Sequence, residues 1–191
     1  MRPLFPVLFA CAAFCTVPAQ AKPVPYQLDQ VASVVGFEID MGQSPMRGPM
    51  SVSSADLILD FDRAAASRVT VTIDASSARM GLPFATDAMK SDKVLDTKAH
   101  PRIGFESTKL SASGQKATVT GKITIRGVTR PLTLAAQIFR PKGSAEGERD
   151  HLIIHLTGTI HRRDFGAAGF ADMVGDDVRL DITAHIHRIG S

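Results

Sequence analysis

Residues Asp150–Gly166 read DHLIIHLTGTIHRRDFG and hold three of the chain's six histidines. His151, His155 and His161 are four and six residues apart, so the period of the segment decides what they are for. Period two puts His151, Ile153, His155, Thr157, Thr159 and His161 on one side, and Leu152, Ile154, Leu156, Gly158 and Ile160 on the other. A strand with one apolar and one polar face is half-buried, so the leucine–isoleucine side is dry and the histidines face water. Pairing with the last apolar-alternating segment, across a loop centred near Phe170, would bring His155 near His185, with His187 close by.

The same period runs outward in both directions. Val35, Phe37, Ile39 and Met41 share a face opposite Glu38 and Asp40. Val69, Val71 and Ile73 alternate with Thr70, Thr72 and Asp74, and Val119, Gly121, Ile123 and Ile125 alternate with threonines, Lys122 and Arg126. Leu132, Leu134, Ala136 and Ile138 repeat the pattern, as do Leu180, Ile182, Ala184 and Ile186. Weaker strands are expected at Ser53 to Phe61 (Ala55, Leu57, Leu59 and Phe61 inward) and at Arg102 to Leu110 (Ile103 and Phe105 inward, Glu106 outward). Tyr26 to Val31 is a short further candidate. Alternation stops between Pro83 and Lys98, where Phe84, Ala88, Val94 and Leu95 have helical spacing. One short helix is expected there, with Thr86 and Asp87 capping its start. Gly127-Val128-Thr129 is expected to form the tight turn of a hairpin, and Pro141 to Asp150 is a polar loop. Seven or eight one-faced strands must close into a barrel or stack as two sheets.

The N-terminus is set aside from this fold. Met1-Arg2, the apolar run Leu4 to Val17 and Pro18-Ala19-Gln20-Ala21 make a secretory signal peptide, residues 1–21, with cleavage after Ala21. The remaining domain, 22–191, has a length that suits one core. Cys11 and Cys15 leave with the leader, so the mature chain is expected to have no thiol chemistry. The chain holds 22 Lys and Arg against 19 Asp and Glu, with signs interspersed. No basic stripe suggests nucleic acid, and no polybasic patch or further apolar run suggests stable membrane insertion after cleavage.

Catalytic signatures are scarce. A G-x-S-x-G elbow, an H-E-x-x-H pair and a phosphate-cradling glycine loop are all absent. His100 reads as a loop residue. Arg162-Arg163-Asp164-Phe165-Gly166 is the densest polar stretch; its Arg and Asp fix the loop by pairing, or else an arginine stands at a barrel mouth to meet an anionic head group. The inward faces carry Val, Ile, Leu, Phe, Ala, Gly and Met. Ala55, Gly121, Ala136, Gly158 and Ala184 are small where a solid core wants bulk, which leaves room for a long apolar tenant.

Several motifs together resemble the YceI-like family. They are Val119-Thr120-Gly121-Lys122-Ile123-Thr124-Ile125-Arg126-Gly127-Val128-Thr129, His100-Pro101-Arg102-Ile103-Gly104-Phe105-Glu106-Ser107-Thr108, Ser91-Asp92-Lys93-Val94-Leu95-Asp96, Arg162-Arg163-Asp164-Phe165-Gly166 and Val174-Gly175-Asp176-Asp177-Val178. The likeness runs from Tyr26 to Ile189, in the family's order. It departs where Ala32 replaces a frequent histidine and where the helix lacks paired histidines. The resemblance implies an all-β, eight-stranded antiparallel, lipocalin-like barrel with one short helix, in a periplasmic or secreted protein. It also implies an apolar pocket for a polyisoprenoid-type lipid, such as a prenyl phosphate or quinone, with no cofactor and no catalytic residue.

On this reading Phe37, Ile39, Phe61, Ile73, Phe84, Phe105 and Phe165 are the expected pocket or mouth contacts, and Arg163 the head-group contact. A homodimer is allowed by the sequence. Two other readings remain: a metal protein or hydrolase built on the histidine face and His100, and an exported stress or adhesion protein with a filled core.

Overall fold

The computed structural model describes residues 22–190; the expected leader lies outside them. Nine strands form in chain order: β1 (Val24–Leu28), β2 (Val34–Met41), β3 (Ser44–Leu59), β4 (Arg68–Asp74), β5 (Arg102–Ser113), β6 (Lys116–Ile125), β7 (Val128–Phe139), β8 (His151–His161) and β9 (Val174–Arg188). One α-helix, α1 (Pro83–Lys90), lies between β4 and β5, and a 3-10 turn spans Arg162–Phe165.

All pairings are antiparallel, and the sheet closes. Going round, β4, β5, β6, β7, β8, β9, β2 and β3 are neighbours, and β3 pairs back onto β4. β1 is the ninth segment but not a ninth stave. It pairs with the far end of β3 (Val24↔Leu59) and of β9 (Tyr26↔Arg188), while β2 pairs with the near parts of the same strands (Phe37↔Gly48 and Phe37↔Leu180). β1 and β2 are thus two halves of one interrupted stave. Closure gives every described strand a neighbour on both sides, which limits the free sheet edge that invites aggregation. At the interruption Asp29 accepts N–H bonds from Val31 and Ala32, and its own N–H goes to His185 O of β9.

The inward faces are those the alternation predicts, from Val35, Phe37 and Ile39 on β2 round to Leu180 and Ile182 on β9. Side chains alternate across a strand, so in a closed barrel one face of every strand is forced together. Three local expectations are corrected. β3 begins at Ser44 rather than Ser53. Pro45 and Pro49 hid its first half, and they are tolerated because β4 pairs only from Ser51 onward, leaving that side of the strand without a ladder. The helix starts at Pro83 with Leu82 as N-cap, and Thr86 lies inside it. The Thr86 hydroxyl accepts from Met80 N–H at 2.9 Å and so fixes the approach to the helix rather than its cap. The β6–β7 turn is Arg126-Gly127, both at positive φ (51° and 74°), the geometry of a type I′ hairpin.

Candidate functional site

The barrel encloses a cavity of about 620 Å³, a size typical of small-molecule sites. Its wall is built from the alternating aliphatic and aromatic residues of all eight staves. Phe37, Ile39, Phe61, Ile73, Phe84, Phe105 and Phe165, named from the sequence, all line it. Arg163 does not. Its side chain is half exposed, with Nε 3.6 Å from Asp176, and its backbone N–H also donates to Asp176 at 3.0 Å. The period of the β8 strand ends at His161, and the 3-10 turn that follows sends Arg162 inward instead.

Arg162 is 4% exposed and lines the cavity. Its guanidinium donates to four carbonyls: Gly175 (2.7 Å), Ala167 (2.5 Å), Gly169 (2.7 Å) and Val174 (2.9 Å). Burial pulls its pKa below the ordinary arginine value, and Asp176 opposes that pull. The side chain is therefore a staple that gathers the 162–175 loop over one end of the barrel. Arg126 adds a second tie, donating to Val94 O at 2.7 Å and Gly166 O at 2.9 Å. The expected pairing within Arg162–Asp164 is replaced by these backbone bonds and by Asp176.

The other ionised lining residue is Asp60. Alternation along β3 places it outward, but the strand ends at Leu59 and the loop turns it in, to 3% exposure. Burial disfavours its charge, yet the N–H groups of Arg63 (2.7 Å) and Asp62 (3.0 Å) and the Arg63 guanidinium hold its carboxyl below the usual range. It is bound by its own loop. Beside it, Ser67 Oγ accepts the Asp60 N–H at 2.8 Å.

Two of the small residues do not make room for a tenant. A Cβ on Gly121 would stand 2.5 Å from the Phe105 ring and 2.4 Å from Glu106 O, and one on Gly158 would stand 2.6 Å from Leu134. Neighbouring side chains already occupy those gaps. Ala55, Ala136 and Ala184 do line the cavity. Met41, which the alternation of β2 places inward, lines the cavity; Met50, Met80, Met89 and Met173, which the sequence reading missed, line it too, and a thioether adapts its shape easily. Met80, Met89 and Met173 lie in loops and the helix, where no period of two marks them, and Met50 lies in the half of β3 that its prolines hid.

The cavity reaches solvent beside α1, where Phe84 (65% exposed) and Met173 (60%) belong to both wall and surface. Phe170 and Leu82 stand exposed at the same end.

The histidine face is outside, as expected, but its register is two residues from the expected one. His155 faces Thr183, Ile153 faces His185, and His151 faces His187, their rings 6.2 Å apart. His155 and His161 each contact an aspartate of β9, Asp181 and Asp177, both at 2.8 Å. Among the described residues no group of three or more His, Cys, Asp or Glu is placed to hold a metal ion.

With that geometry established, comparison with known proteins adds one decisive finding: the model of the YceI-like domain matches residues 26–186. The chain belongs to the YceI-like family. A UPF0312 protein of Pseudomonas aeruginosa strain LESB58 is 29% identical over 123 residues, 63% of this chain and 64% of that protein. This chain thus spans a little under two thirds of that relative. Protein YceI of Escherichia coli O157:H7 is 28% identical over 139 residues, 72% of this chain and 73% of that protein. Among solved structures, BcnA of Burkholderia cenocepacia superposes with a TM-score of 0.73 at 22% identity, over 83% of this chain and 99% of that one. A polyisoprenoid binding domain from Saccharophagus degradans, implicated in plant cell wall breakdown, gives 0.62 at 13% identity, over 86% and 99%. These likenesses establish a YceI-like barrel.

Proposed function

We propose that this YceI-like protein is an exported carrier or buffer for a polyisoprenoid-type lipid, a prenyl phosphate or a quinone, held in the barrel and working in the periplasm or outside the cell. The observation that carries the reading is the cavity of about 620 Å³ with an almost wholly apolar wall. A structural neighbour described as a polyisoprenoid binding domain supports the ligand class. Function here is burial rather than bond-making. Asp60 and Arg162, the ionised residues of the wall, are already engaged by their own loops. Sequestering roughly 300 Å² of apolar ligand surface supplies on the order of 7 kcal/mol before the entropy cost of association.

Protein purified from its native host, extracted with organic solvent and read by mass spectrometry, should yield a prenyl lipid in near one-to-one ratio. A clean extract would sink the reading. N-terminal sequencing of the same preparation should begin at Lys22, and an intact Met1 would remove the export part of the proposal.

A further inference from the structure

We propose that the α1 end of the barrel docks directly on a lipid bilayer, so that cargo passes between membrane and cavity without crossing water. The inference rests on the carrier reading above and names the surface with which that carrier exchanges its load.

Four of the exposed large apolar side chains gather at this end: Leu82 (45% exposed), Phe84 (65%), Phe170 (37%) and Met173 (60%). They come from two separate segments, α1 with its N-cap and the 162–175 loop, so no single stretch of sequence accounts for them. Both segments are held in place by backbone bonds: in the loop, Gly169 N–H donates to Lys93 O at 2.9 Å and Gly42 N–H to Met173 O at 2.8 Å, and at the end of α1 Thr97 N–H donates to Lys90 O at 3.1 Å. Exposed apolar side chains fixed on rigid backbone are a binding surface, since leaving them in water has a standing cost.

Continuity singles out the occupant. Phe84, Phe170 and Met173 belong to the cavity wall as well as to the surface. Whatever covers the rim therefore also covers the mouth. A folded protein seated there would seal the cavity, whereas a bilayer is fluid, apolar and the natural reservoir of a long prenyl chain. The Lys93 ammonium lies 5.9 Å from the Phe170 ring centroid, so a cation on a long stem stands beside the exposed ring, the arrangement that suits a membrane surface. The break in the first stave also exposes Val31 and Val34, but it offers no aromatic side chain.

The test uses the mature chain, phosphatidylcholine vesicles containing some phosphatidylglycerol, and a dansyl-labelled farnesyl chain as cargo. Leu82→Glu alters the rim at a residue outside the cavity wall. Phe139→Glu makes the same kind of change on an exposed phenylalanine at the opposite end of the barrel, and serves as control. Wild type should float with vesicles, and its transfer rate should rise with acceptor-vesicle concentration, because transfer happens on contact. Leu82→Glu should lower flotation and transfer about tenfold, the weight of one leucine side chain's burial, with solution affinity for the probe unchanged. Phe139→Glu should behave as wild type. Equal effects of the two variants, or a transfer rate indifferent to acceptor concentration, would overturn the docking. So would a sedimenting dimer that Leu82→Glu dissociates without any flotation of wild type, since the rim would then join two copies. Wild type that floats but binds no probe in solution would instead sink the carrier reading and leave the docking standing.

Discussion

The ring of Phe105 on β5 covers Gly121 on β6, so closely that a Cβ at position 121 would lie 2.5 Å from it and 2.4 Å from Glu106 O. An aromatic ring laid over a cross-strand glycine shields exposed backbone and lets a barrel wall curve tightly. Gly121→Ala should therefore force β5 and β6 apart and cost about 1–3 kcal/mol, as overpacking does. Gly104, also on β5, has nothing within 4 Å of its Cβ position. Gly104→Ala should leave the urea midpoint near wild type. Equal midpoints for the two variants would show that the contact with Phe105 does not constrain the wall.

Ala184 tests the cavity itself. It lies on β9 opposite Ile154, and both line the wall. Ala184→Phe should place a ring in space a ligand would otherwise occupy. Stability should change by less than about 1.5 kcal/mol, since the ring fills room rather than displacing packed atoms. Affinity for a fluorescent prenyl chain should fall at least about tenfold, the weight of a contact worth ~1.4 kcal/mol. Binding that survives unchanged would place the ligand elsewhere.

How much of this was legible beforehand follows from the physics of a closed sheet. Each stave has one dry and one wet face, so Val35, Phe37 and Ile39, or Leu132, Leu134 and Ala136, announce their orientation without help from any distant residue. Pocket aromatics such as Phe37 and Phe105 could be named because inward direction is a strand-local property. What depends on loops was not legible. The register of β8 against β9 turns on how many residues the 162–175 loop consumes in its 3-10 turn, and the expected His155–His185 pairing missed by two. Arg162 and Arg163 are adjacent and chemically identical. Only the turn after His161 decides that the first is buried among carbonyls and the second faces Asp176. Asp60, which the sequence reading did not name, turns inward for the same reason, because β3 stops one residue before it.

Asp60 gives the protein an acid limit. Its folded carboxyl titrates below the ordinary 3.8, held there by the Arg63 and Asp62 N–H groups and the Arg63 guanidinium against the opposing effect of burial. A carboxyl depressed on folding stabilises the fold fully above its unfolded value, and the contribution disappears as pH falls through the lower folded value. Wild type should thus lose stability below about pH 3.8 more steeply than Asp60→Asn, which has no charge to lose. Thermal unfolding followed from pH 6 to pH 3 should show the two curves converging at the acid end, with the variant lower at pH 6. Parallel curves would mean that Asp60 is not ionised in the folded protein.

Arg162 and Arg163 separate a staple from a surface ion pair. Removing the Arg162 guanidinium strips donors from four carbonyls at once, those of Ala167, Gly169, Val174 and Gly175, in a site with little access to water. Breaking a buried charged network of this kind costs about 3–5 kcal/mol, so Arg162→Leu should lower the urea midpoint sharply. Arg162→Lys keeps the charge but offers one compact ammonium where a planar fork reaches carbonyls on several sides, and it should recover only part of the loss. Arg163 sits at the surface, 3.6 Å from Asp176, and Arg163→Ala should cost at most about 1 kcal/mol. The pattern also bears on ligand chemistry. If Arg163→Ala weakens binding of a prenyl phosphate while sparing stability, an exposed arginine outside the cavity wall takes part in head-group recognition after all. Unchanged affinity would mean that recognition lies in the apolar wall alone.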